Sequence, residues 1–79
     1  MEKIQVLGTG CPKCNQLEQN ARMAVHQLGL PVEVVKVSDI NEIMQFGVMI
    51  TPAFAVDGDV KAVGKLLTVD EIKALLQES

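Results

Sequence analysis

The 79-residue sequence has no tryptophan, no tyrosine, one histidine and two cysteines. With His26 as the single histidine, the chain falls short of the four ligands that closed structural zinc takes, which excludes a zinc-stapled monomer. The two cysteines, Cys11 and Cys14, lie too close together for a useful staple, because the stabilisation expected of a cross-link falls with the loop it closes. Basic residues are few and scattered (Lys3, Lys13, Arg22, Lys36, Lys61, Lys65, Lys73) and the formal net charge is -3, so there is no electrostatic footprint for a phosphate backbone. Nucleic acid is not an expected partner. No apolar run approaches membrane-spanning length, and the opening MEKIQVLG is charged at once, without a long apolar region or a small-residue cleavage site behind it. The expectation is a cytoplasmic protein with no membrane partner. In that compartment thiols are kept reduced, and a close pair of cysteines is more often catalytic or metal-binding than structural.

Apolar residues are present in quantity, at 48% of the chain, enough for a small core and a single domain over residues 1–79. Lys3 to Leu7 is a short β-prone run ended by Gly8, Thr9 and Gly10. From Pro12 onward Leu17, Ala21, Ala24, Val25 and Leu28 recur at helical spacing, and Gly29 and Pro31 end the helix. Val32 to Val37 is dense in β-branched residues and reads as the second strand, making a parallel βαβ unit with the first. Asp39 and Glu42 suggest a capping box for a short helix from Ile40 to Phe46, closed by Gly47. Ala53 to Val56 and Val60 to Val63 read as a hairpin through Asp57-Gly58, where the favoured tight turn needs positive φ at both positions. Thr68 and Glu71 cap a last helix carrying Val69, Ile72, Leu75 and Leu76 on one side. The order is βαβαββα, an α/β fold with helices on both faces of a small mixed sheet.

The stretch GTGCPKCNQLE carries the chemistry. Pro12 is favoured at a first helical position, which puts Cys11 at or beside the N-cap. There the unpaired amides and the positive end of the helix dipole favour thiolate over thiol, and Lys13 adds a nearby positive charge. Cysteines so placed have pKa values lowered from about 8.5 to roughly 3.5 to 7.5. Cys14, three residues on, lies on the same helix face and further from solvent. The two sulfurs then have different roles in thiol–disulfide exchange: Cys11 attacks, Cys14 resolves. Two other readings of the pair stand beside this one. A soft Cu(I) ion can be carried by two cysteines, although copper-carrying domains of this length end on a strand and TVDEIKALLQES ends on a helix. A non-catalytic module would keep the fold as a redox sensor or docking surface.

Strand, loop, Cys-Pro-Lys-Cys at a helix start, Thr51-Pro52 before a hairpin and a terminal helix together resemble the thioredoxin-like fold. The stretches GTGCPKC, SDINEIMQFGVMITPA and VDGDVKAVGK are similar to the small prokaryotic thioredoxin- and glutaredoxin-like redox-active disulfide proteins, and the likeness runs over nearly the whole chain. The resemblance implies four strands in the order 2-1-3-4, with the first and third helices on one face. It implies Cys11 and Cys14 as catalytic residues, a cis peptide before Pro52, and a substrate groove shaped by Ile50, Thr51 and Pro52. The Thr51 backbone would turn outward, where an extended substrate segment can pair with it. No cofactor is implied beyond a reversible Cys11–Cys14 disulfide. The partners implied are a disulfide-containing protein or small molecule and a reductase or thiol that donates electrons, with the chain itself a monomer.

The departures from thioredoxins are specific. Gly10 stands where they have tryptophan, and Pro12-Lys13 where they have Gly-Pro, nearer to the Cys-Pro-x-Cys of glutaredoxins. Gln5 replaces the acidic residue six before the first cysteine, so the resemblance names no proton acceptor for Cys14. Gly64 is followed by Lys65 and not by the second glycine of many glutaredoxins, so a glutathione site is not expected. His26 reads as a solvated helix residue and Phe46 and Phe54 as core. Met23, Met44 and Met49 fill core gaps or are partly exposed, and the run Val48, Met49, Ile50 divides between core and an exposed rim beside the dithiol.

Overall fold

The computed structural model describes residues 3–10 and 12–78. Within them β1 (Lys3–Leu7), α1 (Pro12–Leu28), β2 (Glu33–Val37), α2 (Ile40–Gln45), β3 (Ala53–Val56), β4 (Asp59–Val63) and α3 (Val69–Glu78) follow one another as the residue pattern predicts. The strands make one sheet in the order β2-β1-β3-β4, with β1 parallel to β2, antiparallel to β3, and β3 antiparallel to β4.

Alternation along the two central strands divides the core in two. Ile4 and Val6 of β1 and Phe54 and Val56 of β3 meet Leu17, Ala21 and Ala24 of α1 and Ile72 and Leu76 of α3. Leu7, Ala53 and Ala55 point the other way and meet Ile43 of α2, Val37 and Val48. All four residues of β3 are buried, as a strand covered on both faces must be. The first and third helices therefore share a face, and the short α2 alone covers the other.

Local chemistry accounts for the element ends. Gly29 takes φ 64°, its N–H bonds to the His26 carbonyl and the N–H of Leu30 to that of Val25, the paired closure of a Schellman motif. Asp57 and Gly58 both have positive φ, 51° and 83°, as the hairpin turn requires. The turn is also held from β1: Gln5 Oε1 accepts from the Gly58 N–H at 3.0 Å, and the Lys3 N–H donates to Asp57 Oδ1 at 2.9 Å.

Two sequence expectations need correction. The Asp39 carboxylate accepts from the Asn41 N–H, but Glu42 does not reach back to the Asp39 N–H, so the box is only half formed. Phe46 is half-buried: it ends α2 and packs at the margin of the second core cluster. Of the two places expected for Met23, Met44 and Met49, core gap or exposed surface, all three take the exposed one, at 51%, 65% and 96%.

The second capping box is complete, since the Thr68 N–H donates to Glu71 Oε1 at 3.0 Å and the Glu71 N–H to Thr68 Oγ1 at 3.1 Å. The Lys65 ammonium lies 2.8 Å from Glu71 Oε2. The Lys65 hydrogen bond, then that of the Thr68 N–H, holds the Glu71 carboxyl below its ordinary value of 4.5. A carboxylate whose folded pKa is depressed stabilises the fold fully above its unfolded pKa, and that stabilisation is lost as pH falls through the folded value. Glu71→Gln should therefore flatten the fall in melting temperature between about pH 5 and pH 3. Thermal melts showing the parental slope over that window would refute the assignment.

Candidate active site

The register of β1 determines which loops meet. Leu7, its last residue, pairs with Val37 at the end of β2 and with Ala53 at the start of β3. The segments 8–10, 38–39 and 50–52 consequently leave the sheet at one end. The start of α1 at Pro12 and the start of α2 at Ile40 lie just beyond two of them.

Cys14 falls in the first turn of α1 and in its apolar stripe, with Leu17, Ala21 and Ala24. It is fully buried and disulfide-bonded. The sequence holds one other cysteine, Cys11, whose predicted place beside the N-cap lies outside the described residues. Pro12 opens the helix, in the N-terminal position that suits proline, and Pro12 and Lys13 are both exposed. Asn15, next to Cys14, accepts a hydrogen bond from the Lys36 ammonium at 2.8 Å, which ties α1 to the outer strand β2.

Thr51-Pro52 is a cis peptide, Pro52 is buried and Thr51 half-buried. The Pro52 carbonyl accepts from the Gly64 N–H at 2.7 Å. A Cβ on Gly64 would come within 3.0 Å of the Ile50 side chain, so the glycine after β4 lets that loop close against Ile50. Among the described residues no loop or turn backbone hydrogen bond involves Thr51, which lines the same groove as Thr9.

Val48 is buried, whereas Met49 and Ile50 are 96% and 62% exposed, so the run divides into one core residue and two rim residues. The rim borders a groove of about 370 Å³ lined by Thr9, Ile40, Ile43, Met44, Val48, Met49 and Thr51. None of these described lining residues is charged. It connects the loop before the cysteines with the loop before β3.

His26 lies elsewhere, exposed in the last turn of α1, and faces a different depression with Arg22 and Glu33. Among the described residues no three His, Cys, Asp or Glu side chains gather as a metal-ligand set.

Over residues 2–77 the chain matches the thioredoxin-domain family. The chain belongs to the thioredoxin family. Its curated relatives include a thioredoxin of Methanothermobacter thermautotrophicus, 43% identical over 96% of this chain and 99% of that one. A thioredoxin of Methanocaldococcus jannaschii is 47% identical over 98% of this chain and 88% of the relative. As a member of this family the protein is a dithiol oxidoreductase, and the fold is the thioredoxin-like one that its residue pattern predicts.

Two features of this thioredoxin-family site had no sequence signal of their own. Gly8 reads as an ordinary turn glycine, yet it abuts Cys14. Ile40 and Met44 read as the first turns of a short helix, yet they wall the groove. The first depends on how the start of α1 packs back on the end of β1, and the second on contacts between segments distant along the chain. The burial of Cys14 yields a direct prediction: after reduction, iodoacetamide should alkylate Cys14 more slowly than Cys11 by about tenfold or more. Peptide mapping of the singly modified protein reads the ratio, and equal labelling would contradict the geometry.

Proposed function

We propose that the protein exchanges electrons with disulfides of proteins or small molecules through its Cys-Pro-Lys-Cys pair. Cys11, directly before the amides that open α1, is the nucleophile, and those amides and Lys13 favour its thiolate. Its sulfur forms a bond to one sulfur of the substrate disulfide, and the other substrate sulfur leaves as a thiolate. Cys14, deprotonated, then bonds to the Cys11 sulfur and expels the second substrate thiolate. Two electrons pass to the substrate, two protons complete its thiols, and the dithiol becomes a disulfide.

The observation that carries this reading is Cys14 itself, disulfide-bonded and buried in the first turn of α1; an apolar groove bordered by Thr9, from the loop before the cysteines, supports it. A carrier of soft metal would have to offer both sulfurs to the ion, and the sulfur of Cys14 is enclosed. Met49, Ile50, Met44 and Ile40 supply apolar contact for the substrate, and unbranched methionines adapt to different outlines. The Thr51 backbone offers hydrogen bonds to an extended segment, with Ile50 and Pro52 on either side of it.

The reaction needs no cofactor, and a reductase or small thiol returns the electrons. The protein acts in the cytoplasm as a monomer, without membrane or nucleic acid. The test is a pair of single substitutions assayed on a disulfide-linked protein. Cys14→Ser should accumulate a mixed disulfide between residue 11 and the substrate, visible on a non-reducing gel, while Cys11→Ser should neither trap nor reduce it. Parental turnover in both variants would end the proposal.

A further inference from the structure

Gly8 follows β1, and its N–H continues the ladder by donating to the Val37 carbonyl at 2.9 Å. A Cβ built on it would overlap Cys14 Sγ and lie 2.7 Å from Cys14 Cβ, well inside the roughly 3.5–4.0 Å at which carbon atoms pack. Its φ is not in the left-handed region, unlike those of Gly10, Gly29, Gly47, Gly58 and Gly64. Glycine supplies space here, not backbone freedom.

We propose that Gly8 is a positioning residue for the resolving cysteine, its missing side chain being the seat that the Cys14 sulfur occupies when the disulfide forms. The inference rests on the pair being redox-active and goes beyond that reading in assigning a determinant of the equilibrium. The two atoms that a methyl at residue 8 would meet act differently. Cys14 Cβ stays in place in both redox states, so its clash weakens both. The sulfur is tied down only in the disulfide, whereas in the dithiol it can turn to another staggered position about χ1. Overpacking therefore falls more heavily on the oxidised form.

The test is Gly8→Ala beside the parent protein in glutathione buffers of graded redox ratio, with the oxidised fraction read by alkylation and mass. The dithiol/disulfide equilibrium should shift at least tenfold toward dithiol, a reduction potential about 30 mV less negative for a two-electron couple. An unchanged midpoint, whether or not both redox forms lose stability, would overturn the inference. If Gly8→Ala does not fold, the double variant Gly8→Ala/Cys14→Gly, which removes both opposing atoms, should fold as well as Cys14→Gly alone. A double variant that remains unfolded would also overturn it. Should the parent protein titrate normally in these buffers yet reduce no disulfide substrate, the functional reading fails while the effect of Gly8 is still measured.

Discussion

The site depends on the register of one strand. Because β1 lies between β2 and β3 with Leu7 opposite both Val37 and Ala53, three loops are forced to one end of the sheet. Helix α1 can then begin beside the Thr51-Pro52 loop, and α2 can close the groove from the far side. A slip of one residue in β1 would exchange the faces of Ile4 and Val6 with those of Gln5 and Leu7 and destroy both core clusters. The alternating burial that makes the core thus also aligns the chemistry.

The parts that were legible in the sequence are those written in local chemistry. Gly29 and Leu30 closing α1, Asp57-Gly58 turning the hairpin and Thr68 with Glu71 capping α3 each involve residues a few positions apart, and each forms as its residue types dictate. The place of Cys14 in the buried stripe of α1, three residues before Leu17, was legible for the same reason. The division of Val48, Met49 and Ile50 between core and rim was not, because a short apolar run has no period of its own and only the neighbours supplied by α2 and the sheet decide it. Gln5 illustrates the limit differently. Its place before the cysteines marks a departure from thioredoxins, but the partner its amide takes, Gly58, lies in the hairpin and is brought near only by the pairing of β1 with β3.

Cys14 belongs to two systems at once. It continues the stripe of Leu17, Ala21 and Ala24 that packs α1 on the sheet, and it takes part in the disulfide. A small domain has few core positions to give away, so a disulfide-bonded residue also contributes to packing. The polar links around it are peripheral: Lys36 to Asn15 on one side of α1, and further along Asn20 to the Leu67 carbonyl and Lys73 to Gln27, which join α1 to the last helix and the loop before it.

The outer strand β4 is not a regular partner for β3. Ala55 faces Val60 while Phe54 faces Ala62, so Lys61 stands as an extra residue at a bulge, with its ammonium on Asp59. An inserted residue bends the strand and breaks the even spacing of its outward donors and acceptors, and a lysine there opposes a close-packed neighbour. A foreign strand laid along that margin would lose step halfway, so the sheet carries its own bar to growth on that side.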